Sequence, residues 1–235
     1  MKTLFAALSL LMLSGCATNG QAPWSALTTS SCAKPSADQE LALNLADDMA
    51  KDGKLHASLA NLQNLPDNLA DVRLRKARVY RLLGRSEAEP LYRSLLGSCR
   101  AAEAEHGLGQ LAAARGDNGL AQAHLQRAAR LSPTDEKIRN DLGVVYLNQL
   151  RLDDARFEFL TAIELKQSDQ LAAVNLVALL IYQDNWQQAG EVVSRAGLSP
   201  EQFSDAQARA EKLKTPTTPR PSSSGQVAIV TDVTK

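Results

Sequence analysis

The sequence predicts an all-α solenoid of about five helical hairpins, stacked in a row and closed by a C-terminal capping helix. Three observations predict this fold class. Alanine (36) and leucine (37), both strong helix formers, supply about three in ten of the 235 residues, whereas aromatic residues make up only 4%. Small and large residues recur at a fixed spacing through the centre of the chain. Proline and capping residues fall between the repeated units, where helices are expected to end.

The chain opens with a segment shaped like a secretory signal. A positive start at Lys2 is followed by an apolar stretch, residues 4–13, that is too short to span a bilayer. The stretch ends in the sequence LSGC, which resembles the bacterial lipobox. Residues 1–15 are therefore predicted to be a lipoprotein signal peptide, with Cys16 as the lipidated residue. The alternative is a signal peptide followed by an incidental cysteine.

This resemblance also implies a location. Ala17 follows the cysteine, whereas in Gram-negative lipoproteins an aspartate at that place commonly causes retention at the inner membrane. We therefore expect a lipid anchor on the periplasmic face of the outer membrane, where each acyl chain contributes roughly 0.8 kcal/mol per buried CH₂. Residues 16–37, rich in small and turn-forming residues, are predicted to be the tether of the folded body.

Residues 38–214 carry the repeat. Gly109 and Gly143 are 34 residues apart, and so are Ala121 and Ala155. The spacing and the order of large and small residues resemble the tetratricopeptide repeat. The best match lies in one unit, at Leu142, Gly143, Tyr146, Ala155, Phe159 and Ala162.

The other hairpins follow from this register. Two weaker and shorter units come first, with turn glycines at Gly53 and Gly84. The third unit spans 102–135, and the fifth follows the best-matched one, with Trp186 supplying the aromatic residue common in the turn. In such hairpins, small residues allow close approach of helices and large aromatic residues fill the remaining space. Tyr146, Phe159 and Trp186 are accordingly predicted to pack in the core.

The positions of helix-breaking and helix-capping residues agree with these units. Pro66 and Pro133 lie between hairpins. Ser199 and Pro200 predict the N-cap and first position of a last helix that ends at Lys214 and caps the solenoid. Residues 215–235, rich in Thr, Pro and Ser at their start, are predicted to be a disordered tail.

The first helices of the hairpins are expected to line the concave surface, which is the default binding surface of a solenoid. The last two repeats present a mainly apolar wall there, suited to an amphipathic helix or an extended apolar segment of a protein partner. Burial of the same side chains against a neighbouring hairpin is the alternative. The predicted groove consists of Asn140, Val144, Leu147, Val174, Ala178, Ile181 and Tyr182.

Two cysteines remain once Cys16 is lipidated. An even number in an oxidising compartment favours a disulfide between Cys32 and Cys99, which would pin the tether to the second hairpin. Two free, buried thiols are the alternative.

The sequence contains no pattern for catalysis or cofactor binding. The balance of 26 basic and 26 acidic residues leaves no basic patch for nucleic acid. The three histidines, His56, His106 and His124, are not spaced as metal ligands and are expected to be solvated or hydrogen-bonded at the surface. We therefore predict a protein that is not an enzyme, with no catalytic residue, no metal, no cofactor and no small-molecule substrate.

Three short runs together with the lipobox carry a more specific resemblance. The runs NDLGVVY (140–146), DARFEFL (154–160) and AAVNL (172–176) are similar to the TadD lipoproteins of the tight-adherence (Flp) pilus machinery. This resemblance implies a role in Flp pilus assembly, as a pilotin that helps an outer-membrane secretin to reach or assemble in the membrane. The alternative is a general scaffold of envelope biogenesis that organises cell-wall or outer-membrane assembly proteins.

Overall fold

The computed structural model describes residues 32–168 and 170–215, and within these ranges the regular structure is entirely helical. The all-α prediction is therefore confirmed for the described residues. The predicted signal peptide, Cys16, most of the tether and residues 216–235 lie outside them. The helices are α1 (Ala37–Lys51), α2 (Leu55–Gln63), α3 (Ala70–Leu82), α4 (Ala88–Arg93), α5 (Ala101–Ala114), α6 (Asn118–Leu131), α7 (Glu136–Asn148), α8 (Leu152–Leu165), α9 (Gln170–Tyr182), α10 (Trp186–Ala196) and α11 (Pro200–Lys214).

The first ten helices form five hairpins, in each of which an odd-numbered helix packs against the even-numbered helix that follows it. The odd-numbered helices α1, α3, α5, α7 and α9 also contact one another in sequence, and we call the surface they form the inner wall. Each even-numbered helix from α2 to α8 contacts the first helix of the next hairpin. These contacts give the predicted solenoid of five hairpins.

Each hairpin turns through a residue with left-handed backbone conformation. In the first three hairpins that residue is Gly53, Gly84 or Gly116, which adopts a positive φ without steric penalty. In the last two it is Leu150 (φ 58°) and Asp184 (φ 57°). The turn geometry is thus kept where the sequence does not supply glycine.

Glycine also allows the helices of a hairpin to approach closely. A Cβ atom on Gly143 would lie 2.6 Å from Cε1 of Phe159, and one on Gly109 would lie 2.6 Å from Cγ of Leu125. Phe159 fills the space above Gly143 and is fully buried, and Tyr146 is buried beside it in the same core. Both aromatic side chains pack as predicted.

Trp186 differs from the expectation that it packs in the core. Its side chain is 51% exposed, because it begins α10 at the edge of the hairpin and lines an open cavity with Ile181 and Lys214 instead of inserting between helices.

The second hairpin is shortened. Helix α4 has only six residues, with Pro90 in its first turn, and is followed by a series of turns up to Cys99. Ser94 and Ser98 hydroxyls donate hydrogen bonds of 2.7 Å to the carbonyls of Leu91 and Leu95, which satisfies groups that a longer helix would have paired.

The structure joins Cys99 to Cys32 by a disulfide with a Cα–Cα distance of 5.6 Å. This bond fastens the segment before α1 to the turns that precede α5, and Cys32 packs there against the cluster of buried residues that includes Tyr92 and Leu95.

The predicted cap helix is present as α11. Ser199 caps it, the Gln202 side chain accepts a 2.8 Å hydrogen bond from the Ser199 backbone N–H, and Pro200 takes the first position, as the sequence predicts. Helix α11 packs along α9. Within the part of the chain that the structure describes, α11 makes almost no contact with α10. It therefore does not extend the stack in the way that α7 and α9 do. Among the described residues no helix is both long and apolar enough to cross a membrane.

Candidate functional site

The inner wall is the candidate site, and polar side chains tie its helices together. Each of the following hydrogen bonds joins two successive helices of the wall, or α9 to α11, with Arg100 standing directly before α5, and we call this series the polar ladder. The donors and acceptors are Arg75 to Asp47 (2.9 Å), Arg100 to Asp71 (2.6 Å), His106 with Asp141 (2.7 Å), Gln110 to Asp141 (2.7 Å), Asn175 to Asn140 (2.7 Å) and Arg209 to Asn175.

Asp141 is the centre of this ladder. Its Oδ2 receives hydrogen bonds from His106 and Gln110 on α5, and its Oδ1 receives one of 3.1 Å from Asn140. Burial acts to raise the pKa of Asp141, but the hydrogen bonds from these three side chains and the charge of His106 outweigh it, so its pKa lies below the ordinary value. Asp141 is thus held as a carboxylate that links α5 to α7.

A half-open cavity of about 220 Å³ lies beside Asp141. Its walls combine donors and acceptors of α5 and α7 with apolar carbon from α8 and α9. Such a mixture suits a polypeptide segment, which presents both backbone polar groups and side-chain carbon. The cavity is lined by His106, Gln110, Glu136, Lys137, Asn140, Asp141, Ala162, Leu171 and Ala172.

The seven predicted groove residues all lie on α7 and α9, but they differ in accessibility. Val144 and Tyr182 are partly exposed. Asn140 and Leu147 are buried, and Asn140 belongs to the polar ladder. The remaining three, Val174, Ala178 and Ile181, are buried as well.

Burial of these three α9 residues departs from the expectation of an open apolar groove, and its cause is α11. This helix lies along α9, and its residues line cavities together with Val174 and Ile181. The open part of the inner wall therefore lies at α5 and α7, where Gln110 and Val144 are partly exposed and Lys137 is exposed.

The histidines take different places. His106 belongs to the polar ladder, whereas His124 is buried, with Nδ1 2.6 Å from Oε2 of Glu105. The expectation that every histidine is a surface residue is wrong for His124. Its partner Glu105 on α5 is itself buried and also accepts a 2.8 Å hydrogen bond from Arg127, so the pair lies between α5 and α6. In residues 32–168 and 170–215 no group of three or more His, Cys, Asp or Glu side chains is placed to hold a metal ion.

Sequence reasoning missed the polar ladder, although one signal for it was present. Asp141, Asn175 and Arg209 are each 34 residues apart, the same spacing that identifies the repeats. A polar residue repeated at that period on the first helices predicts side chains that meet between neighbouring hairpins.

Comparison with known proteins agrees with the geometry. The TPR repeat-containing protein PA4299 of Pseudomonas aeruginosa is 43% identical over 182 residues, which cover 77% of this chain and 74% of that protein. A solved structure described as a functional characterization of Pseudomonas aeruginosa pilF covers 74% of this chain and 87% of its own, with 16% identity and a TM-score of 0.59. A crystal structure of MamA covers 69% of this chain and 96% of its own, with 18% identity and a TM-score of 0.52. The two structures share the fold. No protein-family model matches the chain.

Proposed function

The chain belongs to the family of tetratricopeptide-repeat proteins, and from this premise we propose that it is a lipid-anchored pilotin of Flp pilus assembly that binds a secretin segment on its inner wall. The observation that carries the proposal is the half-open cavity beside Asp141, where polar groups of α5 and α7 meet apolar carbon of α8 and α9. Together with the lipobox and the resemblance to TadD lipoproteins, this surface suits an adaptor without chemistry of its own.

Binding by such a wall depends on several weak contacts arranged along a segment. The exposed side chain of Lys137 supplies a donor toward a backbone carbonyl or an acidic side chain, and Leu171, which is 47% exposed, supplies apolar area. The lipid on Cys16 would hold this wall close to the membrane in which the secretin assembles. The mechanism thus consists of tethering and holding a partner segment.

Photo-crosslinking in cells tests the proposal. A photo-reactive residue is placed at Lys137 or Val144 on the inner wall, and at Glu164, an exposed residue of α8, as the matched control. We expect the secretin, identified by mass spectrometry in outer-membrane fractions, to be crosslinked from the two wall positions and not from Glu164.

A different result would favour the scaffold alternative. Recovery of cell-wall enzymes or barrel-assembly factors from the wall positions, with secretin multimers intact in a deletion strain, would overturn the pilotin proposal.

The anchor is tested separately. A Cys16→Ser chain should leave the outer-membrane fraction and appear in the soluble periplasmic fraction, whereas the wild-type chain stays with the membrane. Retention of the Cys16→Ser chain in the membrane would show that lipid on Cys16 is not what holds the protein there.

A further inference from the structure

The central part of α9, residues 172–181, is buried on all sides, unlike the other helices of the inner wall. Every residue from Ala172 to Ile181 is buried, whereas the wall residues of α5 and α7 include partly exposed side chains such as Gln110 and Val144. Helices α7, α8 and α10 each contact α9, and α11 packs along the face that they leave open. Thus α11 occupies the part of the wall where the sequence predicts an apolar binding groove.

The contact between α9 and α11 has the form of a helix docked in a groove. Ala206 and Ala210, four residues apart, are fully buried and allow close approach, while Phe203 and Leu213 pack at either end. Arg209 reaches Asn175 and so continues the polar ladder by one step.

Two further hydrogen bonds set the direction of the docked helix. Gln202 donates to Gln170 at 2.9 Å near the beginnings of the two helices, and Lys214 pairs with Asp184 at 3.1 Å near their ends. The helices therefore run parallel, as the first helices of neighbouring repeats do.

Both long edges of α11 are open to solvent. A cavity of about 400 Å³ opens on one side of it, where Val174 lies beside Asp205 and Arg209, and one of about 370 Å³ opens on the other, where Ile181 lies beside Ala208. The only buried side chains of α11 are the small ones of Ala206 and Ala210, and these two openings leave both of its edges accessible to solvent, so little apolar area holds the helix in place. Helix α11 also makes almost no contact with α10, so α9 is the helix that holds it in place.

We propose that the wall face of α9 is a binding site for an amphipathic helix of a partner protein, and that α11 occupies this site within the chain until the partner displaces it. The partner helix has the chemistry of α11: two small residues four apart, larger apolar residues at either end, and an arginine or lysine three residues after the first small one. This inference deepens the proposed function, because it rests on the same inner wall and names the kind of segment bound there.

Occupation by α11 sets the affinity of the site. A partner binds only to the fraction of molecules whose α11 is detached, so its apparent affinity falls by that fraction. Fixing α11 in place should weaken partner binding, and it should leave the cavity beside Asp141 unchanged.

Hydrogen exchange of the full chain tests whether α11 detaches. We expect the amides of residues 201–214 to exchange roughly tenfold or more faster than those of α9, because α11 opens while the hairpins stay folded. Equal exchange rates in α9 and α11 would show that the two helices open only together, which would overturn the proposal.

A crosslink tests the site itself. Asp184→Cys and Lys214→Cys, whose native side chains touch, are bridged by a short bismaleimide, and the unbridged double variant is the matched control. The probe is a labelled peptide of residues 199–215. We expect it to bind the unbridged chain about tenfold or more tightly than the bridged chain, and a peptide carrying Ala206→Leu to bind neither.

The other outcomes are decisive as well. Equal binding of the peptide to bridged and unbridged chains, or binding to neither, would overturn the proposal. A concentration-dependent dimer that the bridge abolishes would assign the site to a second copy of the chain instead of a partner. If the secretin is crosslinked at Val144 but the bridge has no effect, only this inference fails and the proposed function stands.

Discussion

At the scale of single residues, the hairpins depend on pairs formed by a glycine of the first helix and a large side chain of the second. Gly143 with Phe159 and Gly109 with Leu125 are such pairs, one repeat apart, although the large residue is aromatic in one and aliphatic in the other. Both glycines lie inside helices, where glycine is unfavourable relative to alanine. Their presence there is explained by the close approach of the second helix.

Replacing one of these glycines should therefore destabilise the protein. In Gly143→Ala the new methyl group would meet the ring of Phe159 at 2.6 Å, so the helices must separate or the ring must move. We expect the free energy of unfolding, measured by urea titration, to fall by about 1–3 kcal/mol.

Gly190→Ala is the matched control, because this glycine lies in α10, is exposed and has nothing within 4 Å of an added Cβ. That change should stabilise the helix by up to about 1 kcal/mol. Similar effects of the two substitutions would contradict the close-approach argument.

Asp141 makes the stability of the solenoid depend on pH. Folding lowers its pKa, so its contribution is present above the ordinary value of 3.8 and is lost as the pH falls through the lower value of the folded state. At pH 5.5 we expect Asp141→Asn to lower the free energy of unfolding by about 1–2 kcal/mol, because a carboxylate that accepts three hydrogen bonds is replaced.

The difference between the two chains should shrink between pH 5 and pH 2, and urea titrations at a series of pH values would measure it. Asp153→Asn, an exposed residue in the first turn of α8, is the control and should show little change. A difference between wild type and Asp141→Asn that stays constant down to pH 2 would contradict the role of the carboxylate.

At the scale of helices and turns, the repeat imposes one backbone conformation on every hairpin. The residue in the left-handed conformation is glycine in the first three hairpins and Leu150 or Asp184 in the last two. Gly116, Leu150 and Asp184 are 34 residues apart, so they are the same position of three successive repeats. A leucine in this conformation costs about 1–2 kcal/mol, because its Cβ approaches the following carbonyl oxygen. The best-matched repeat thus contains a strained turn.

Leu150→Gly should relieve this strain. The Leu150 side chain is 52% exposed, so little buried area is lost, and we expect a net gain of about 0.5–1 kcal/mol in the free energy of unfolding by thermal or urea denaturation. Gly116→Ala, at the same turn one repeat earlier, is the reverse experiment and should cost about 1 kcal/mol, since nothing surrounds the added Cβ. A loss of stability in Leu150→Gly would mean that its side chain matters more than its backbone.

The sequence predicts elements best where local signals define them. Ser199 and Pro200 mark the start of α11 correctly, and the spacing of Leu142, Gly143 and Phe159 identifies a hairpin, because caps and close contacts between adjacent helices leave patterns in nearby residues.

The position of α11 on α9 could not be predicted in this way. The buried residues of α11 are only Ala206 and Ala210, which look the same whether the helix ends the stack or lies on the wall. The predicted groove therefore lies on α7 and α9 and stays a prediction as a binding site, whereas the burial of its residues Val174, Ala178 and Ile181 by α11 was not foreseen.

At the scale of the whole molecule, the core is divided along the chain. The largest cluster of buried apolar residues joins α5 to α11, and two smaller ones lie in the first hairpins, around Tyr92 and around Leu62. In a solenoid each hairpin contacts only its neighbours, so stability is expected to vary from one end to the other. The weak sequence match of the first two repeats corresponds to these smaller clusters, and the disulfide lies in the same half.

Removing the disulfide should therefore unfold the molecule from one end. Cys32 and Cys99 are 67 residues apart, and closing a loop of this length stabilises a fold by about 4 kcal/mol in the chain-entropy model. In Cys32→Ser/Cys99→Ser we expect the amides of α1 to α4 to lose most of their protection in hydrogen exchange while α7 to α9 keep theirs. The wild-type chain without reductant is the control for the variant, and the wild-type chain with reductant should resemble the variant. Equal loss of protection in all five hairpins would instead show that the solenoid unfolds as one cooperative unit, with the disulfide supporting the inner wall at α5 and α7 as well as the first two hairpins.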